Sequence, residues 1–541
     1  MIDGDTDVST KECEIVYARV IEKGRPSNIL IGHIEVQHAH AKGIYAATKA
    51  AFTGLGPQCV DWLDKTVSMG ADGAAVNLGH KGGVIALLQA DAGDFIIPFH
   101  CMPHRLELGL LAVQREIPMI GQVYDLLNLV WKTYHFSPKS MRELRELGTD
   151  IGVNVNAPSG VKGTRWLPHV SRSLETFLKQ GKDRTPQSPG QFTAVYLHMD
   201  HLAGASANAE IAGRAKKIKL TMEDGTFVSF CHFLADLFSY ISQFSLLLQR
   251  NDIILPQAVS GIENLLVTIE ALAAQPKPGG KLSTFYAAMQ EQHHQNQDNE
   301  RQEFKFQEVN LSKGEAVKLV EGESISQAAP RLQRAIERTC ESTVKHLRNR
   351  FSSLLEKKTK DTPTTTALQS FNAFNHHAWP DDKRRLWDHG VKDVEFLLEH
   401  FSTVLRRNGC NPELAKEEFQ AMKMMIYTSF KDKSYLGLWE VMLTTEPYCS
   451  DYKNILHLIQ VMLVLPISAA VCERGFSTQK RIKSDMRANL HSDTVEDLIR
   501  ISVEGPELID FDARESVQNW LSQGQRARRP NYTQWPINFG M

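Results

Sequence analysis

Three carboxylates in this chain of 541 residues, Asp3, Asp72 and Glu473, stand where they could do chemistry together. Asp3 lies at the end of a truncated first strand, in the opening MIDGDTD. Asp72 follows a short strand at residues 67–71. Glu473 lies in the stretch PISAAVCERGFSTQKRIKSDMRANL, residues 466–490, on a helix where Ala469 and Phe476 share its face. A carboxylate among Ala and Phe is costly to bury without a partner, a metal or a function. If the first and fourth strands are neighbours in one sheet, their ends bring Asp3 and Asp72 together. A carboxylate from the late helix then completes a cage for two divalent cations about 3.5–4 Å apart. Oxygen ligands suit Mg²⁺ or Mn²⁺. Such a site activates water or a 3′-hydroxyl for in-line attack on a phosphodiester. The alternative is capping aspartates and a surface glutamate, since 63 Asp and Glu offer many triples.

The elements that must position these groups follow from hydrophobic periodicity. Residues 13–21 (CEIVYARVI) are rich in β-branched and aromatic types and predict a strand. Residues 28–36 predict its hairpin partner, with Lys23-Gly24 as turn material. Helix at 39–52, strand at 66–71, helix at 82–90, strand at 95–99 and helix at 102–115 follow, which implies an α/β sheet. From about 120 to 460 strand signals nearly vanish and amphipathic helical periods recur, as in 227–248, 253–274, 328–355 and 412–430. Residues 181–191 and 291–302 are polar and predict connections. No fixed-period repeat supports a solenoid. Ile455, Leu458, Ile459, Met462 and Leu463 mark an apolar helix that Pro466 ends. Ser468 can cap the next helix, 468–486, and a last one spans 494–502.

Composition bounds the function classes. Hydrophobic residues make up 42%, charged residues 23%, and net charge is -2. That is globular and not basic, so any nucleic-acid surface must be local. The eight cysteines contain no CxxC pair, which excludes a paired-cysteine zinc finger and suits a reducing compartment. The N-terminus lacks the marks of a signal peptide. The apolar run 461–472 is too short to span a bilayer. The expectation is a soluble intracellular protein with no membrane partner and no small-molecule substrate.

Four words occur in order: DGAAVN (72–77), PFHCMPHRLEL (98–108), KGTRW (162–166) and SAAVCERGFS (468–477). Together they resemble the hAT superfamily of DNA transposases, and in particular domesticated, transposase-derived zinc-finger proteins. The resemblance covers nearly the whole chain. It implies an RNase H-like mixed sheet at 1–118, a large all-helical insertion at 119–430, a C-terminal dimerisation region at 431–505 that completes the core, and a tail at 506–541. It assigns Asp3, Asp72 and Glu473 as catalytic metal ligands, with Asp5 and Asp7 as alternatives to Asp3. It makes Arg165 and Trp166 nucleic-acid-binding, the Trp stacking on an unpaired base, a contact of about 1–3 kcal/mol. It makes Cys101 and His104 a structural pair.

Each residue has a plainer reading. Asp72 caps its turn with Gly73, Trp166 packs in the core, and Cys101 and His104 support a helix start. The basic words at 357–360 and 526–529 are solvated faces or nuclear-localisation signals. Only two residues precede Asp3, whereas a strand usually needs about 5–6. The family's zinc finger is also missing. The expectation is therefore a nuclear, transposase-derived protein that forms a homodimer or larger assembly and binds DNA or protein without efficient catalysis. The alternative is an active Mg²⁺- or Mn²⁺-dependent transposase.

Overall fold

A computed structural model describes residues 1–161, 165–181, 185–206, 208–295, 304–315, 327, 329–355 and 362–522. Residues 162–164 of the KGTRW word, most of the 291–302 connection and both basic words lie outside the described residues.

The chain opens with β1 (Ile2–Thr6), β2 (Glu12–Glu22) and β3 (Arg25–Glu35), an antiparallel meander in that order. Lys23 and Gly24 both take positive φ at the β2–β3 turn, the geometry that matches the twist of paired strands. The first strand is thus five residues long and not a stub. Asp3 is its second residue, opposite Ile15, and not at its end. α1 (Ala41–Gly54) covers one face of the meander. A parallel pair follows, β4 (Ser68–Ala71) and β5 (Ile97–His100), joined through α2 (Val84–Ala92). β1 lies beside β4, although the two pairings remain separate ladders.

Beyond β5 the chain is almost wholly helical. α3 (Met102–Glu116), α4 (Pro118–His135) and α5 (Trp166–Phe177) lead into the long apolar helices α6 (Gly225–Leu248) and α7 (Leu255–Ala274) and the long amphipathic α8 (Pro330–Leu355). The insertion is not all-helical: Lys305–Phe306 and Val309–Asn310, two residues each, pair as a short antiparallel hairpin. α6 is long and apolar enough to cross a bilayer, which the sequence reading overlooked, yet most of it is buried against α5, α7 and α8. Its apolarity is that of a central core helix.

α9 (Pro412–Ser429) packs on α10 (Lys453–Val464), the helix marked by Ile455 and Met462. α11 (Ala470–Ile482) and α12 (Ser492–Glu504) then cross the second face of the meander. Alternation along β2 explains the two layers. Val16 faces α1 and the main core, while Cys13, Ile15 and Tyr17 face Val471, Cys472 and Phe476 of α11 and Val495 and Ile499 of α12. Gly475 makes the second contact possible, because a Cβ there would meet Ile15 Cδ1 at 2.4 Å. A single continuous apolar core joins the sheet, the insertion and α10.

Candidate functional site

The site is built at the rim where β1, the end of β4 and the first turns of α11 meet. Asp3 is carried by β1 on the face that looks toward α11. Burial, then the neighbouring Glu473 and Asp72 carboxylates, push its pKa up to about 7. The three carboxylates therefore feel one another's charge across this rim. Asp5 instead pairs with Lys480 at 2.6 Å. Asp7 pairs with Lys483 at 2.5 Å, with both side chains buried.

Asp72 sits in the turn after β4. Its Oδ1 accepts from Asn77 Nδ2 at 2.8 Å and from the Ala74 amide at 3.2 Å, so it also caps its own turn. His100, at the end of β5, closes over Gly73, where a Cβ would lie 2.5 Å from the imidazole. Burial, then the Arg105 and His104 charges, holds His100 down near 4, so it is neutral at pH 7.

Glu473 departs from expectation. It is not buried among Ala469 and Phe476; its side chain is 41% exposed. Its carboxylate receives the guanidinium of Arg165, which precedes α5, and Arg165 also donates to Gln249 Oε1 at 2.6 Å. Ser468 is not the cap: Ala469 holds that position, and Ser468 Oγ accepts from the Ala470 amide at 3.2 Å from one residue earlier.

Trp166 is the first residue of α5 and is only 7% exposed. Its ring packs edge-on against Phe238 of α6, with centroids 5.5 Å apart. A ring seated there offers no free face to an unpaired base, so the core-packing alternative describes this arrangement. The α5 terminus is anchored by Glu107, whose Oε2 accepts from the Leu167 amide at 3.1 Å. Glu107 belongs to the PFHCMPHRLEL word but drew no role from the sequence.

Cys101 is buried and ties two helix starts together. Its Sγ accepts from the Ala469 amide at 3.3 Å, ahead of α11, while Cys101 itself precedes α3. Burial pushes its thiol up to about 11, so it is unreactive at neutral pH. His104 is exposed and does not share that role; its ring stands 5.5 Å from His100.

Glu14 is a fourth carboxylate that sequence reasoning missed. It is buried on β2, beside Gly4, and its Oε1 has no hydrogen-bond partner. Burial, then Asp3 and Asp72, push its pKa up to about 8. A charge inside the apolar run CEIVYARVI was the available signal.

The donor chemistry suits Mg²⁺ or Mn²⁺, but the geometry does not close on a cation. Among the described residues no three His, Cys, Asp or Glu side chains stand ready to hold one. Glu473 is turned to Arg165, and Asp72 is committed to Asn77 and its turn.

Residues 416–502 match the family model of the hAT family C-terminal dimerisation region. This segment is similar to the C-terminal region of hAT-family proteins. The match runs from α9 into α12 and includes α10, Glu473 and the whole of α11. It marks this part of the chain as a self-association region. The apolar α10 is consumed within the chain, against α9, β2 and β3, so it is not the surface left for a partner.

Proposed function

We propose that this chain is a transposase-derived nuclear protein that self-associates through residues 416–502 and binds DNA or protein partners without efficient catalysis. The observation that carries this reading is the state of Glu473. It lies in the matched region, yet an arginine occupies its carboxylate. The meander β3-β2-β1 beside β4-β5, with helices on both faces, fits an RNase H-like ancestry. Catalytic carboxylates need placement within about half an ångström, and a set tied to Arg165 and Asn77 lacks it.

A nicking and strand-transfer assay with Mn²⁺, run on wild type and Glu473→Gln, tests the catalytic half. Equal background in both proteins is expected. Metal-dependent cleavage that Glu473→Gln abolishes would overturn it. Sedimentation tests the other half: a pure monomer at micromolar concentration would remove self-association. Nuclear residence is checked by imaging the tagged full chain, where exclusion from the nucleus counts against it.

A second reading has its own support. Asp3, Asp72 and Glu473 come from three distant segments, and the charges of Glu473 and Asp72 both act on Asp3. An active Mg²⁺- or Mn²⁺-dependent transposase would use that coupling once Arg165 was drawn away.

A further inference from the structure

The C-terminal part of the structure leaves an apolar surface uncovered. Ile501 at the end of α12 is 68% exposed, and Leu508 and Ile509 are 89% and 93% exposed. Phe511 is also exposed. A last helix, α13 (Arg514–Ser522), follows. Consecutive exposed large apolar residues of this kind mark an interaction surface.

A receptor of matching chemistry lies on the other side of the sheet. Between the meander and α1 is a groove of about 420 Å³ lined by Val16, Ile31, Tyr45, Phe52, Val464 and Pro466. Cys59, half-buried and free, stands on its wall, near the exposed Asp61 and Lys65. Leu508, Ile509 and Phe511 do not occupy this groove in their own chain, since they remain exposed and do not line it.

We propose that residues 505–522 form an exchange arm that seats its apolar residues in this groove of a second copy. Continuity with the self-association region selects that occupant. The arm springs from Ile501, and the groove wall includes Val464 and Pro466, all three within residues 416–502. An arm carried across to an identical groove is a low-cost route to a closed, two-fold dimer. Leu508, Ile509 and Phe511 supply the apolar contacts, and α13 is carried along behind them. This inference rests on the self-association reading above.

The experiment uses the full chain with Asn519→Cys, oxidised mildly, beside Asn519→Cys/Cys59→Ser. A covalent dimer only when Cys59 is present is expected. In sedimentation, Ile509→Asp and a chain ending at Glu504 should each weaken association at least tenfold, with an unchanged far-ultraviolet circular dichroism spectrum. A cross-link within one monomer would overturn the exchange. So would unaltered association of both variants, while leaving self-association itself intact. A wild-type chain that is monomeric throughout would remove both readings.

Discussion

Arg165 and Glu473 form an ion pair that joins the start of α5 to the first turns of α11. It bridges the helical insertion and the region matched to the hAT dimerisation model. The pair locks the third carboxylate in place without burying it.

Because the Glu473 side chain is 41% exposed, the pair stabilises the fold by little. Arg165→Ala is expected to shift the denaturant midpoint by less than about 1 kcal/mol equivalent. A loss of several kcal/mol would mean that Arg165 serves the fold through Gln249 instead.

Asp3 makes a pH prediction. Its pKa is raised from the ordinary carboxylate range to about 7, by burial first and then by Glu473 and Asp72. The folded state therefore holds a proton that the unfolded state releases. That contribution is present below about pH 4 and is lost as pH rises from about 4 to 7. Screening at the rim reduces it to about 1–2 kcal/mol. In Asp3→Asn the fall in Tm between pH 5 and pH 8 should shrink by about 1–2 °C. An identical pH profile in both proteins would contradict this.

Asp7 and Lys483 behave in the opposite sense. Their side chains are 2% and 4% exposed. Burial opposes the Asp7 charge, but hydrogen bonds from Lys483, Lys11 and Ser9 hold its pKa down to about 2. The stability it brings is present above about pH 4 and is lost as pH falls from 4 to 2. Lys483→Met strands a buried carboxylate and should cost about 3–5 kcal/mol in urea unfolding. Asp7→Asn/Lys483→Met should recover part of that loss.

Trp166 separates packing from recognition. Trp166→Ala should cost about 3–5 kcal/mol, as large core truncations do. Trp166→Phe should cost about 1 kcal/mol or less, because the buried indole N–H has no partner to lose. If Trp166→Phe leaves stability intact but abolishes binding to unpaired DNA, the ring must leave its seat against Phe238 to function.

The strands and helices were legible where a single period dominates. Residues 13–21 alternate along β2, and Ile455, Leu458, Ile459 and Met462 mark α10. That the charges of Asp72 and Glu473 act on Asp3 was anticipated, but through a neighbouring pair of strand ends that does not form: Asp3 lies inside β1, and β1 and β4 belong to separate ladders. The partners of these groups were not legible. Arg165 meets Glu473, and Lys483 meets Asp7, across hundreds of residues, and no local spacing encodes such pairs. Trp166 was ambiguous, because a helix-start aromatic reads alike on a surface and in a core. Glu14 was visible only as an oddity in an apolar strand.

The meander is completed by helices made last. Asp7 and Lys483 lie 476 positions apart, and the face of β2 carrying Ile15 and Tyr17 has no cover until α11 and α12 exist. At about 5–20 residues per second of synthesis, that face stays uncovered for roughly 25–95 s on every ribosome. Production of this protein therefore depends on holding an unfinished sheet soluble for that interval, a burden set by chain order and not by the strength of the finished fold.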